Sequence, residues 1–371
     1  MSPLPKIFSR SLQTINTADF SAVRAQWKNP NDILTLLMII GGDIVRGALS
    51  QLASSDPRPF TPVAFSFGWV VYSFSAILSI VGSHRLAPEP DYRCSLIDVQ
   101  SGYARDVNSW VLARLVRDYR PPPDHKRGLS IAFFDTIPEK DTGVPDRDWV
   151  YYLGTFVILL QLGIAVIPGI FHGNWLILIL TVGGNLLAQI QGAIPQWKQE
   201  LWAARKIGKD KREVVCLTKG NGSSYAIVIR SDSCGLRLAD LAGGREVESR
   251  TTVYMTCILA VLWFVHLLTM QSVDNDPWYT LAIGAIGMLQ NVIAAGVRRA
   301  PGALGFHLKE SFPPVHDDKA FQALKSAEEK EEKVGLVLVD IFFPGGLRPS
   351  EERWRKERKR MYNIDKSEQE L

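Results

Sequence analysis

Six windows of the chain, residues 33–53, 62–83, 150–171, 173–194, 251–270 and 278–297, are each 20–22 residues long and almost free of charge. Together they hold two of the 80 charged side chains, Asp43 and Arg46. A helix needs about 20 apolar residues to cross a hydrocarbon core roughly 30 Å thick, and each window meets that length. The remaining 244 of the 371 residues are 32% charged, so the near-zero mean hydropathy and the net charge of +4 average over two populations. An ordinary soluble enzyme is excluded. The pattern predicts an α-helical integral membrane protein with six transmembrane helices arranged as three hairpins, 33–83, 150–194 and 251–297.

Six crossings place residues 1–32, 84–149, 195–250 and 298–371 on one side, and that side carries 40 of the 42 Lys and Arg residues. Lys28, Arg85, Arg147, Lys198, Arg250, Arg298 and Arg299 flank the window ends there. Basic residues accumulate on the cytoplasmic face, which predicts both termini in the cytoplasm of a plasma membrane or endomembrane. Residues 1–31 contain no apolar run of signal-peptide type, so the first span is expected to act as the targeting signal. A re-entrant first span is the alternative, and it would move the N-terminus to the other face.

The polar segments carry their own patterns. CSLIDV (94–99), LSIAFFDT (129–136), EVVCLTKGNGSSYAIVIR (213–230) and VGLVLVDIFF (334–343) read as strands, the third as a hairpin about Asn221-Gly222. An isolated hairpin is marginal in water, so strands from the loops 84–149 and 195–250 and from the tail 298–371 are expected to share one sheet in a cytoplasmic α+β module. Residues 103–120 read as a basic amphipathic helix in which Trp110, Arg114 and Arg117 either meet lipid headgroups or pack on the sheet. Residues 317–333 read as a charged surface helix. The basic run 353–360 reads either as a solvated tail or as an anionic-lipid contact through Arg353, Trp354, Arg355 and Lys356.

Chemistry-bearing residues are sparse. Asp43 and Arg46 lie three apart on one helical face, and a charge at mid-membrane costs about 2.5–3.5 kcal/mol on insertion scales. They read either as a transport site or as a structural pair. The polar groups Gln161, Asn185, Gln189, His266, Gln290 and Asn291 also fall within spans. Side-chain amides there commonly bond one helix to another. Cys94, Cys216, Cys234 and Cys257 and the histidines lack metal-ligand spacing, and no phosphate-loop, nucleophile-elbow or dinucleotide motif occurs. No catalytic residue, metal or cofactor is predicted, and nucleic acid is not an expected partner.

The stretches NPNDILTLLMIIGGDIVRGALSQLA (29–53), PVAFSFGWVVYSFSA (62–76), SGYARDVNSWVLARLVRDYR (101–120) and GAIPQWKQELWAAR (192–205) together resemble a group of filamentous-fungal multi-spanning membrane proteins that carry no assigned activity. The resemblance implies a fungal setting and supplies no site residues. Three function classes follow. The first is membrane-anchored scaffolding, with the lipid bilayer, a cytoplasmic protein and a second copy of the chain as partners. The second is a transporter or channel component built on Asp43 and Arg46. The third, a lipid enzyme embedded in the membrane, has no supporting constellation.

Overall fold

Apolar windows and alternating strand patterns segregate in space as they do in sequence. The computed structural model describes residues 31–53, 60–122, 127–273 and 275–362, with the side chains of the first helix from Gly41 onward. In chain order the helices are α1 (Asn31–Leu52), α2 (Gly68–Ser83), α3 (Trp110–Asp118), α4 (Trp149–His172), α5 (Leu176–Gly192), α6 (Pro195–Leu201), α7 (Leu238–Ala242), α8 (Arg250–Gln271), α9 (Pro277–Gly296), α10 (Ala320–Lys330), α11 (Val334–Phe342) and α12 (Pro349–Met361). The strands are β1 (Ser95–Asp98), β2 (Ala104–Asp106), β3 (Leu129–Thr136), β4 (Arg212–Thr218), β5 (Tyr225–Asp232) and β6 (Leu308–Asp317).

Three helices, α4, α8 and α9, are long and apolar enough to cross a membrane, and α5 with α6 would make a fourth span broken by a 43° bend. Six continuous spans in three hairpins are not what these helices form. The clearest departure is in window 62–83. Only its last 16 residues are helical, about 24 Å of helix against a core of roughly 30 Å. Residues 60–66 are irregular, and all but Phe60 are buried.

Contacts fix the helix directions. Gly41 lies against Gly68 and Met288, and Gly47 against Ala295, so α1 runs parallel to α9. Leu49 meets Gly192 at the end of α5. Arg299, just past α9, donates to Gln51 O at the end of α1 and to Asp148 at the start of α4. The exits of α1, α5 and α9 and the entry of α4 therefore share one end of the bundle. The segment 60–67 starts at that end, with Thr61 against Gly192. It descends to Phe67 beside Gly284. Helix α2 then climbs back antiparallel to α8, with Trp69 stacked on Trp263 at 5.6 Å and His84 O accepting from Val247 N. Segment and helix enter and leave the bundle at the same end.

At that end sits one six-stranded mixed sheet of order β2-β1-β4-β5-β3-β6, in which β3 and β5 are parallel. Strands from both long loops and from the tail do combine. The β4–β5 hairpin forms with Asn221-Gly222 at its tip, where Ser223 N donates to Gly220 O and Gly222 takes a φ of 83°. A left-handed φ is open to glycine at little steric cost. Both sheet faces are covered, which is why the central strands read as unbroken apolar runs. Leu96, Val215, Leu217, Ile227 and Ile229 face α3, α7 and the bundle, whereas Ile97, Cys216, Val228, Ile131 and Phe133 face α10 and α11.

One tail assignment needs correction. Residues 334–342 form helix α11, not a strand. A short apolar run fits either element, and here Val334, Leu338 and Phe342 recur at helical spacing against the sheet. The tail strand is β6 instead, an edge strand containing Pro313 and Pro314. Proline lacks the N–H for an inner ladder position, so the edge is where it can sit.

Candidate functional site

The predicted polar residues of the spans converge on the backbone of segment 60–67. Gln189 brackets Thr61, accepting from its N at 3.2 Å and donating to its O at 2.9 Å. Gln290 does the same across two residues, accepting from Ala64 N at 3.0 Å and donating to Pro62 O at 3.1 Å. Asn185 accepts from Phe65 N at 3.1 Å. Gln161 donates to Phe65 O at 2.7 Å and to Ile283 O at 2.9 Å, and takes a bond from Asn185 on its own oxygen. Asn291 donates to Ser66 Oγ at 2.8 Å. Five side chains from α4, α5 and α9 thus act as the neighbouring strands that the extended segment lacks. An unpaired buried backbone group costs about 1–3 kcal/mol, and non-helical backbone survives at membrane depth only when protein satisfies it.

Glycines make room for the segment. A Cβ on Gly154 would collide with Pro62 O, and one on Gly287 with Phe65 O. His266, the remaining predicted polar residue, packs edge-on against Phe65 and Trp263 at 5.4 and 5.7 Å. It touches the segment through its ring, and its Nε2 has no protein partner.

Asp43 and Arg46 do not pair among the described residues. Asp43 is exposed on the outside of α1. Arg46 reaches the chain just after α2, donating to Leu86 O at 2.7 Å and Ala87 O at 2.9 Å. The amides of the same two residues donate to the Glu200 carboxylate at 2.7–2.9 Å, and Gln196 holds Glu200 at 2.6 Å. One cation and one anion therefore clamp four backbone groups from opposite sides. Glu200, buried on α6, was not among the predicted site residues. It stands just past the apolar window, and nothing in its neighbours marks it.

Helix α3 corrects the reading of 103–120. Residues 104–106 are strand β2, and Trp110 and Arg114 are buried. Arg114 donates to Asp91 and Ala295 O, and Arg117 to Asp91, Asp118 and, at 3.4 Å, Gly296 O. Two guanidinium groups cap the last carbonyls of α9, where the helix dipole favours positive charge. Trp110, Arg114 and Arg117 join bundle to module, with Trp110 and Arg114 buried and Arg117 partly exposed. The run 353–360 is helical and only partly exposed: Trp354 leans on Phe321 at 5.4 Å, Arg355 pairs with Asp340 at 2.6 Å, and Arg353 and Lys356 are exposed on the same helix.

No cluster of three or more His, Cys, Asp or Glu residues suited to a metal occurs among the described residues. Cys94 is buried, and burial with Asp106 nearby pushes its thiol up to about 12, which leaves it a poor nucleophile at neutral pH. Two cavities of about 540 and 550 Å³ lie in the module, the first lined by Arg205, Lys206, Lys211, Arg212, Glu213 and Arg237 among others. No family model, no curated protein and no solved structure matches this chain.

Proposed function

We propose that the protein is a membrane-embedded scaffold in which α1, α4, α5, α8 and α9 cross the bilayer, segment 60–67 with α2 re-enters from one face, and the α+β module stands on that face to receive a partner. The apolar belt on α4, α5 and α8 supports the membrane placement: Phe156, Leu159, Ile179, Ile258 and Val261 all point outward and are exposed. Five crossings put the N-terminus opposite the module. Of the 42 Lys and Arg residues, 37 then fall on the module face and four on the other, so the positive-inside tendency keeps the module cytoplasmic while moving residues 1–30 to the far side. The observation that carries scaffolding is the use of the intramembrane polar groups: the amides are spent on segment 60–67, and Arg46 on residues 86–87.

The competing transport reading has one feature in its favour, because interrupted spans build many transporter sites. Reconstitution separates the two. Scaffolding predicts proteoliposomes no leakier to ions than empty ones. A flux that Asp43→Asn abolishes would replace scaffolding with transport. Single-cysteine labelling of intact vesicles tests sidedness, with Ser223→Cys reactive from the cytoplasmic face and Ser2→Cys from the opposite face.

A further inference from the structure

Helix α2 ends at His84, whose φ of 53° turns the chain. Arg85 follows at the wall of the 550 Å³ cavity, which Glu89, Arg93, Cys94, Asp106 and Lys219 also line. That volume suits a small-molecule group. The three cations of this cavity differ from four of the five at the other one, where Lys211 alone lacks an ion pair among the described residues. Across the sheet, Arg205, Lys206, Arg212 and Arg237 each have a carboxylate partner, in Asp240, Asp141, Glu331 and Glu213. Among the described residues, Arg85, Arg93 and Lys219 have no carboxylate within ion-pair distance. Arg85 donates through one terminal nitrogen to Asn108 O at 3.1 Å, while its Nε is buried without a partner. The ammonium of Lys219 stands 5.8 Å over the Tyr92 ring. With Glu89 and Asp106 the lining is net positive by one charge, and Asp106 is engaged by Ser95 Oγ at 3.3 Å. Glu200 also acts electrostatically on Arg85.

The helix leading to this cavity is apolar on its open side. Phe74, Leu78 and Val81 recur at helical spacing and are 45, 75 and 63% exposed. A Cβ on Gly82, between them and Arg85, would meet nothing within 4 Å. A hydrocarbon stripe on the helix that leads to a pocket of cations without carboxylate partners has the polarity of a lipid. We propose that the cavity binds the headgroup phosphate of an anionic glycerophospholipid whose acyl chains lie along Phe74, Leu78 and Val81. The inference rests on the membrane placement above. It gives α2 a reason to return to the face it entered from, since its end then lies at headgroup depth.

The test uses the full chain purified in detergent, incubated with equimolar phosphatidylglycerol and phosphatidylcholine, and read by native mass spectrometry of retained lipid. The wild type should retain phosphatidylglycerol preferentially. Arg93→Gln and Lys219→Gln, both at exposed or rim positions, should each weaken that preference about fivefold without changing the melting temperature, and Arg85→Gln should weaken it further. An unchanged preference in the Arg93→Gln/Lys219→Gln double variant overturns the site. Displacement of the lipid by glycerol phosphate at equal concentration overturns the lipid assignment, because it would make the acyl stripe irrelevant. Alkaline carbonate extraction of native membranes separates the failures. Protein released to the supernatant sinks the membrane placement, whereas protein in the pellet with no phosphatidylglycerol preference sinks only the lipid site.

Discussion

Segment 61–66 and the first half of strand β5 are both non-helical, buried and mostly apolar, yet their backbones are satisfied in different ways. Strand β5 lies between β4 and β3 and bonds to both through regular ladders. Segment 60–67 has no strand beside it, so amide side chains from three helices supply donors and acceptors one at a time. A ladder spreads its bonds over many residues, and each side chain on β5 contributes only packing. In the bundle, each amide serves a particular carbonyl or N–H, and losing one leaves that group unpaired where water does not reach. The bundle should therefore be far less tolerant of single substitutions than the sheet.

The most damaging test is Gly287→Val. Its side chain would occupy the position of Phe65 O, and forced overpacking costs about 1–3 kcal/mol, occasionally more. Loss of the monodisperse peak in detergent gel filtration is the expected outcome, and a normal peak would contradict the close approach. Gln161→Leu comes next. It orphans Phe65 O and one Asn185 donor and removes a second bond from Ile283 O, which keeps its helical partner, at about 1–3 kcal/mol for each group left unpaired. A fall of melting temperature larger than that of any conservative sheet variant is expected in a thermal-stability assay. Ile227→Val on β5 is the matched control, with an expected loss of about 0.5–1.5 kcal/mol by the same assay. If it exceeds Gln161→Leu, the contrast between ladder and amide cradle fails. Asp43→Asn should fall below about 0.5 kcal/mol, because Arg46 bonds to residues 86–87 instead; Arg46→Gln should cost clearly more.

The smallest effect concerns the α+β module. Arg205 holds the Asp240 carboxyl below its ordinary range, chiefly by hydrogen bonding to it. A depressed folded pKa stabilises above the unfolded value, near 3.8, and that contribution is lost as pH falls through the folded value. The melting difference between wild type and Asp240→Asn should be small at pH 7, as for exposed pairs at about 0–1 kcal/mol, and should shrink as pH falls below 3.8. A difference that grows on acidification would reverse the assigned sign.

Much of the module was legible because its signals are local. Alternating or continuous β-branched runs at 94–99, 129–136 and 213–230, with Asn221-Gly222 between two of them, lead to strands in place. Run 334–343 misled because a short apolar run interrupted only by Asp340 suits a buried helix as well as a strand, and β6 was hidden by Pro313 and Pro314. In the bundle, the amides Gln161, Asn185, Gln189, Gln290 and Asn291 stood out as polar groups inside apolar windows, but their shared target did not. Window 62–83 is equally apolar through its extended and helical halves, and Pro62 near its start is tolerated at the first turn of a helix. Arg114 and Arg117 were visible as charges on a helical face, while the α9 carbonyls they cap lie some 180 residues away.

The sequence by itself determined the partition of the chain into apolar helices and a polar α+β module, because charge content and periodicity are properties of short stretches and the cost of burying charge acts on each stretch alone. Tertiary structure alone decided that residues 60–67 run in extended and α2 runs back out. That choice depends on five amides and two glycines arriving from α4, α5 and α9, and the backbone of 60–67 is satisfied only once those helices are packed around it.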